Sequence, residues 1–144
     1  MYGDMVKSKT VGYAAQLRIA ATLLYRGFTV AFVEGDNAPY DLIADSNGKL
    51  SRVQVKSTEN LGSVTHHHYG YHVNVTKGNK RTERYTKADC DFIAVLIGSL
   101  NIVYLIPVDE INGVSLRLYP GGQRRVQKNS HDYERFRTAF DLLR

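Results

Sequence analysis

A single cysteine, Cys90, in 144 residues excludes an internal disulfide, and no apolar run approaches the length a bilayer demands. Stability must therefore come from packing. The N-terminal segment carries Asp4 and Lys7 and lacks an apolar core, so no signal peptide is expected and the chain reads as cytoplasmic. No internal repeat, low-complexity tract or convincing linker divides it. Cys90 lies in Ala88-Asp89-Cys90-Asp91-Phe92 with no histidine beside it, which marks a buried or inert thiol. The run His66-His67-His68 invites a metal reading. Adjacent strand residues point to opposite faces, however, and no cysteine or acid stands at zinc-like spacing.

What is present is an ordinary globular composition. With 43% hydrophobic and 23% charged residues, positions 1–144 are expected to form one domain with a real core. The 19 Lys and Arg outnumber the 14 Asp and Glu, and the resulting +5 favours a polyanionic partner without identifying it. The basic residues cluster. Lys7 and Lys9 precede the first helix, Lys77, Lys80, Arg81 and Arg84 form a second group, and Arg124, Arg125 and Lys128 a third. Each cluster reads equally as a set of phosphate contacts or as a solvated loop.

The first helix is expected from about Thr10 to Arg26, with Thr10 as N-cap and Gly27 as stop. Ala14, Leu17, Ala21 and Leu24 recur at helical spacing and are expected to face a sheet, with Gln16 on the shoulder of that stripe. Phe28 to Val33 reads as the first strand. Phe92 to Ile97 and Ile102 to Ile106 are nearly continuous apolar runs, the pattern of deeply buried central strands. His66 to Thr76 ends as a strand with His72 and Asn74 on one side, placed for DNA contact, and Ser115 to Tyr119 alternates as another. The tail from Ser130 to Arg144 has apolar residues at helical spacing and predicts a terminal helix capped by Ser130. The fold class is α/β: a central mixed sheet, the first helix on one side and further helical pieces on the other.

The most informative stretch runs from Pro39 to Lys56. Asn47-Gly48 between alternating segments predicts a β-hairpin, because both residues accept the positive φ of a primed turn. In the second strand Arg52, expected to contact DNA, then shares one face with Gln54 and Lys56, and Val53 and Val55 take the other. Asp41 enters from the start of the neighbouring strand. A carboxylate, an amide oxygen and an ammonium group gather at one sheet edge, which suits divalent-metal chemistry on a phosphodiester. The plain alternative is an amphipathic hairpin with its polar side in solvent.

The Pro39-x-Asp41 and Gln54-x-Lys56 elements resemble the PD-(D/E)XK nuclease superfamily, in the variant where glutamine replaces the middle acid. The similarity extends over most of the chain, including Tyr85 to Phe92 and Tyr104-Leu105-Ile106-Pro107. Within the superfamily the chain is most similar to group I intron-encoded homing endonucleases, and more distantly to archaeal Holliday-junction resolvases. The resemblance implies a restriction-endonuclease-like core and Mg²⁺-dependent cleavage of double-stranded DNA, with Mn²⁺ able to substitute. It implies Asp41 and Gln54 as metal ligands and Lys56 as the catalytic lysine; the Val55 carbonyl, between the last two in sequence, is expected to join the metal's ligands. The superfamily adds a glutamate from the first helix, and by register that position is Gln16 here. Asp41 is then the only formal negative charge in the group. Glu34, Asp36, Asp45 and Glu59 lie close by in sequence; each reads first as a solvated charge, with Glu34 the leading substitute. Cutting both strands implies a homodimer or homotetramer. A junction resolvase and a DNA-binding module with weakened cleavage are the alternatives.

Overall fold

The computed structural model describes residues 8–59, 70–78, 82–121 and 132–144. Helix α1 (Ser8–Tyr25) is followed by strands β1 (Thr29–Phe32), β2 (Leu42–Ser46), β3 (Lys49–Thr58), β4 (Tyr71–Asn74), β5 (Phe92–Ile97), β6 (Ile102–Pro107) and β7 (Ser115–Leu118). Five strands form one sheet in the order β1-β2-β3-β5-β6. Every pairing in it is antiparallel except that of β3 with β5. The mixed sheet expected from the sequence is therefore present, and the architecture is α/β.

Each face of this sheet supports its own core. On one side Ala15, Ile19, Ala20 and Leu23 of α1 pack against Leu42, Ala44, Val53, Val55, Ala94 and Leu105, with Phe140 and Leu143 closing the layer. On the other, Ile93, Val95, Ile97, Tyr104 and Ile106 meet Val73, Val75, Leu116 and Leu118. Helical pieces were expected over this second face, and the 3-10 turns Val108–Glu110 and Glu134–Phe136 do place Val108 and Phe136 there, beside an antiparallel pair of β4 and β7. Period-two alternation explains the pair, since Val73 and Leu116 are cross-strand partners that both turn inward.

Four further expectations need correction. Helix α1 begins at Ser8, so Thr10 sits inside the first turn and does not cap it. The buried stripe of α1 is Ala15, Ile19, Ala20 and Leu23, whereas Ala14, Leu17, Ala21 and Leu24 are exposed. The helix is apolar on two sides, and periodicity alone does not say which side meets the sheet. Strand β6 lies at the sheet edge, not its centre, and the tail that covers it is not an α-helix. Within the described part of the tail are 3-10 turns at Glu134–Phe136 and Phe140–Leu143. Between them Thr138 adopts a φ of 51°, its amide donates to the Val103 carbonyl at 2.8 Å, and Arg137 bridges Tyr104. Satisfying an exposed edge outweighs local helical spacing here. Ser130, the expected cap, lies outside the described residues.

Candidate active site

The hairpin of β2 and β3 forms as its turn chemistry requires. Asn47 and Gly48 have φ of 52° and 93°, and the Asp45 carboxylate accepts the Gly48 amide at 2.7 Å. Register follows from the turn, pairing Ser46 with Lys49 and, four rungs on, Leu42 with Val53. Val53 and Val55 thus enter the α1 core, and Gln54 and Lys56 point to the opposite face.

At Leu42 the ladder ends, but β3 continues. The amide and carbonyl of Val55 point toward the side that β2 has left, so both lack a ladder partner there. Asp41 fills the gap. Its own amide donates to the Val53 carbonyl at 2.9 Å, and its carboxylate accepts the Val55 amide at 2.9 Å. The Gln54 side-chain amide donates to the Val55 carbonyl at 3.3 Å. A carboxylate, a backbone carbonyl and an amide therefore meet on one open strand edge.

Lys56 stands next to them. Its Nζ donates to the Thr76 carbonyl at 3.2 Å and lies 5.2 Å from the centre of the Tyr85 ring. Asp41, Gln54, Lys56 and Tyr85 line a cavity of about 370 Å³, together with Asp36, Asn37, Ala38, Pro39, Lys77 and Gly78. The loop between β1 and β2 thus forms one wall, and the residues after β4 form another.

A family model described as PD-(D/E)XK endonuclease matches residues 6–139. The chain belongs to the PD-(D/E)XK endonuclease family. Nucleases of this family generally use divalent metals and act on DNA. A solved structure titled as that of a bacterial homing endonuclease, I-Ssp6803I, superposes with a TM-score of 0.78 at 28% identity. The alignment covers 95% of this chain and 93% of that one. A search of curated proteins finds no match.

The electrostatics of this candidate site are set by burial. Desolvation raises the Asp41 carboxyl above the ordinary aspartate range, although the Val55 amide and Lys56 oppose the shift. Burial lowers Lys56 against the pull of Asp41. Both charged forms are thus held at a cost to the fold. Tyr85 is pushed up to about 12 by burial first and by Asp41 second, so its hydroxyl stays protonated at neutral pH. Cys90 is buried and also raised to about 12, the inert thiol that its sequence context suggested.

A hard cation fits the donor set. Among the described residues no cluster of three or more His, Cys, Asp or Glu could hold a metal. The oxygens at the β3 edge are those that Mg²⁺ favours, and a site with so little charge of its own leaves room for phosphate oxygens and water. Two carboxylates line the cavity, Asp41 and Asp36. Of the other acids near in sequence, Asp45 is held by the hairpin turn and Glu59 accepts the Ser99 amide at 2.9 Å. Glu34, the leading substitute, is exposed and does not line the cavity. Gln16 is half-buried on α1, which packs on the sheet face opposite Gln54 and Lys56, and it too is absent from the lining.

The basic residues divide by what already holds them. Lys77 lines the cavity, but its Nζ is 2.8 Å from an Asp89 oxygen. Arg84 is exposed and one guanidinium nitrogen donates to the Ile111 carbonyl at 3.0 Å. Lys9 is exposed in the first turn of α1, Asn74 is exposed at the end of β4, and half-buried His72 precedes it by two residues. Lys7, Lys80, Arg81, Arg124, Arg125, Lys128 and the three consecutive histidines lie outside the described residues.

Arg52 is the most committed of them. Its guanidinium pairs with Asp91 at 3.3 Å and donates to the Ala88 and Lys87 carbonyls at 3.0 and 2.8 Å, while its backbone amide donates to Asp91 at 2.8 Å. Arg52 braces the turn that leads into β5. Arg52→Met is therefore expected to lower the melting temperature while leaving the salt dependence of DNA binding unchanged. Loss of a phosphate contact would instead reduce that slope by about one unit.

Sequence reasoning missed Tyr85 and the Thr76 carbonyl as supports for Lys56, and Asp89 and Asp91 as anchors for Lys77 and Arg52. No local signal announces them. Tyr85 is 29 positions from Lys56 in the sequence, and only the crossover that brings the chain back to β5 places them together.

Proposed function

We propose that this endonuclease hydrolyses phosphodiester bonds of double-stranded DNA with Mg²⁺, Mn²⁺ being able to substitute. Asp41, the Val55 carbonyl and Gln54 hold the ion, and Lys56 is the catalytic lysine. The observation that carries this reading is the unpaired edge of β3, where the Asp41 carboxylate has joined the Val55 backbone beside Lys56 in one cavity. Bound there, a divalent ion would polarise the scissile phosphate and lower the pKa of an attacking water.

The chain's own groups prepare the rest. The Val55 amide fixes the carboxylate of Asp41, so the ligand is oriented before any ion arrives. Gln54 now offers its amide nitrogen to Val55, and a half-turn of that amide presents its oxygen instead. Lys56 is held at the Thr76 carbonyl and over Tyr85, placed to orient water or to stabilise charge developing on the phosphoryl oxygens. Lys77 lines the same cavity, its ammonium paired with Asp89, so a DNA phosphate would have to share or displace that carboxylate.

We further assign site-specific double-strand cleavage of the homing type, by a single domain that resides in the cytoplasm in association with DNA. Likeness over nearly the whole of a homing endonuclease chain supports this. Cutting both strands with one site per chain calls for a homodimer or homotetramer. The test compares linear duplex containing a candidate target with a four-way junction, in Mg²⁺, in Mn²⁺ and in chelator. Duplex cleavage restored by either metal is the expected result. Preference for the junction would make the protein a resolvase, and tight binding without metal-stimulated cutting would make it a DNA-binding module.

A further inference from the structure

The stripe Ala14, Leu17, Ala21, Leu24 is real but turned away from the sheet, and we propose that it is the seam through which a second copy of this chain docks. It deepens the assembly part of the reading above and rests on that reading for its purpose only. The spacing of three, four and three residues is the a-d-a-d pattern of paired helices. Alanine at alternate positions lets two backbones approach, and leucine at the others provides the knobs.

The face around this seam is apolar beyond what solvent exposure favours. Leu17 is 45% and Leu24 57% exposed, flanked by Tyr13 at 56% and Tyr25 at 94%. Together these four present on the order of 500 Å² per chain. A symmetric pair that covers these four side chains fully buries roughly 1,000 Å² from them alone, the threshold that a biological interface should clear. From Thr10 to Tyr25 the helix holds one charged residue, Arg18. Arg18 is tied back to the turn after β5, donating to Asn101 Oδ1 at 2.7 Å and to the Gly98 carbonyl at 3.3 Å. The face that remains offers a DNA backbone no cation, and like meets like across it without charge repulsion. A two-fold pairing of one patch with itself satisfies both conditions.

Sedimentation without DNA or metal tests the docking separately from cleavage. The full chain should sediment as a dimer or a multiple of two, and Leu17→Glu/Leu24→Glu as a smaller species with unchanged helical content. Should that variant fail to fold, Leu17→Ser/Leu24→Ser should weaken self-association by about tenfold or more in a dilution series. A monomeric wild type overturns the proposal. So does an oligomer whose dissociation constant neither pair of substitutions moves.

Discussion

Replacing Lys56 with methionine should lower cleavage by roughly 10²–10³-fold or more, the scale on which one preorganised electrostatic group acts, while DNA binding is retained. The melting temperature should hold or rise. Burial outweighs the attraction of Asp41 in setting the ionisation of Lys56, so the charged form is a net cost to the fold even with its partner present. A group whose folded pKa is lowered destabilises the native state once pH falls below its unfolded value, and neutral pH lies in that region. Methionine keeps the aliphatic stem against Tyr85 and removes the cost. Activity lost with stability kept, measured by a cleavage assay beside a thermal melt, would identify Lys56 as a group retained for chemistry. Loss of both together would make it a packing residue.

Asp41 separates two roles that one side chain performs. Asp41→Asn keeps an oxygen for the Val55 amide but removes the charge, so cleavage should fall by about 10²-fold or more with the hairpin intact. Asp41→Ala leaves that amide unpaired as well and should cost a further 1–3 kcal/mol or about that in stability, the desolvation penalty of a buried donor. The wild-type pH dependence follows from the same carboxylate. Its pKa is raised, so protons compete with an ion sooner on acidification than at an ordinary aspartate. Metal-supported cleavage should decline at correspondingly higher pH, and raising the Mg²⁺ concentration should shift the acidic limb back down.

Much of this site was legible because its central relations are local. A primed turn at Asn47-Gly48 sets the register of the hairpin, and register alone puts Asp41 one rung beyond Leu42 and Val53, level with Gln54. Alternation then puts Lys56 on the same face. What was not legible lies where tertiary contacts choose between equal local options. α1 has two apolar stripes, and only the sheet decides that Ala15, Ile19 and Leu23 turn inward. The tail has helical spacing at Tyr133, Phe136, Phe140 and Leu143, yet the free edge of β6 draws Thr138 into a bond that a helix would forbid. Arg52 reads as a DNA contact on charge alone; its carbonyl and carboxylate partners all come from the segment leading into β5, 35–39 residues later.

Anomalous diffraction from crystals grown with Mn²⁺ and duplex DNA tests the central claim most directly. The account predicts one strong peak per chain at the open edge of β3, shared by the Asp41 carboxylate and the Val55 carbonyl with a phosphate oxygen, and absent in Asp41→Asn. A bound, cleavable duplex with its metal elsewhere, or with the Asp41→Asn peak undiminished, would contradict it.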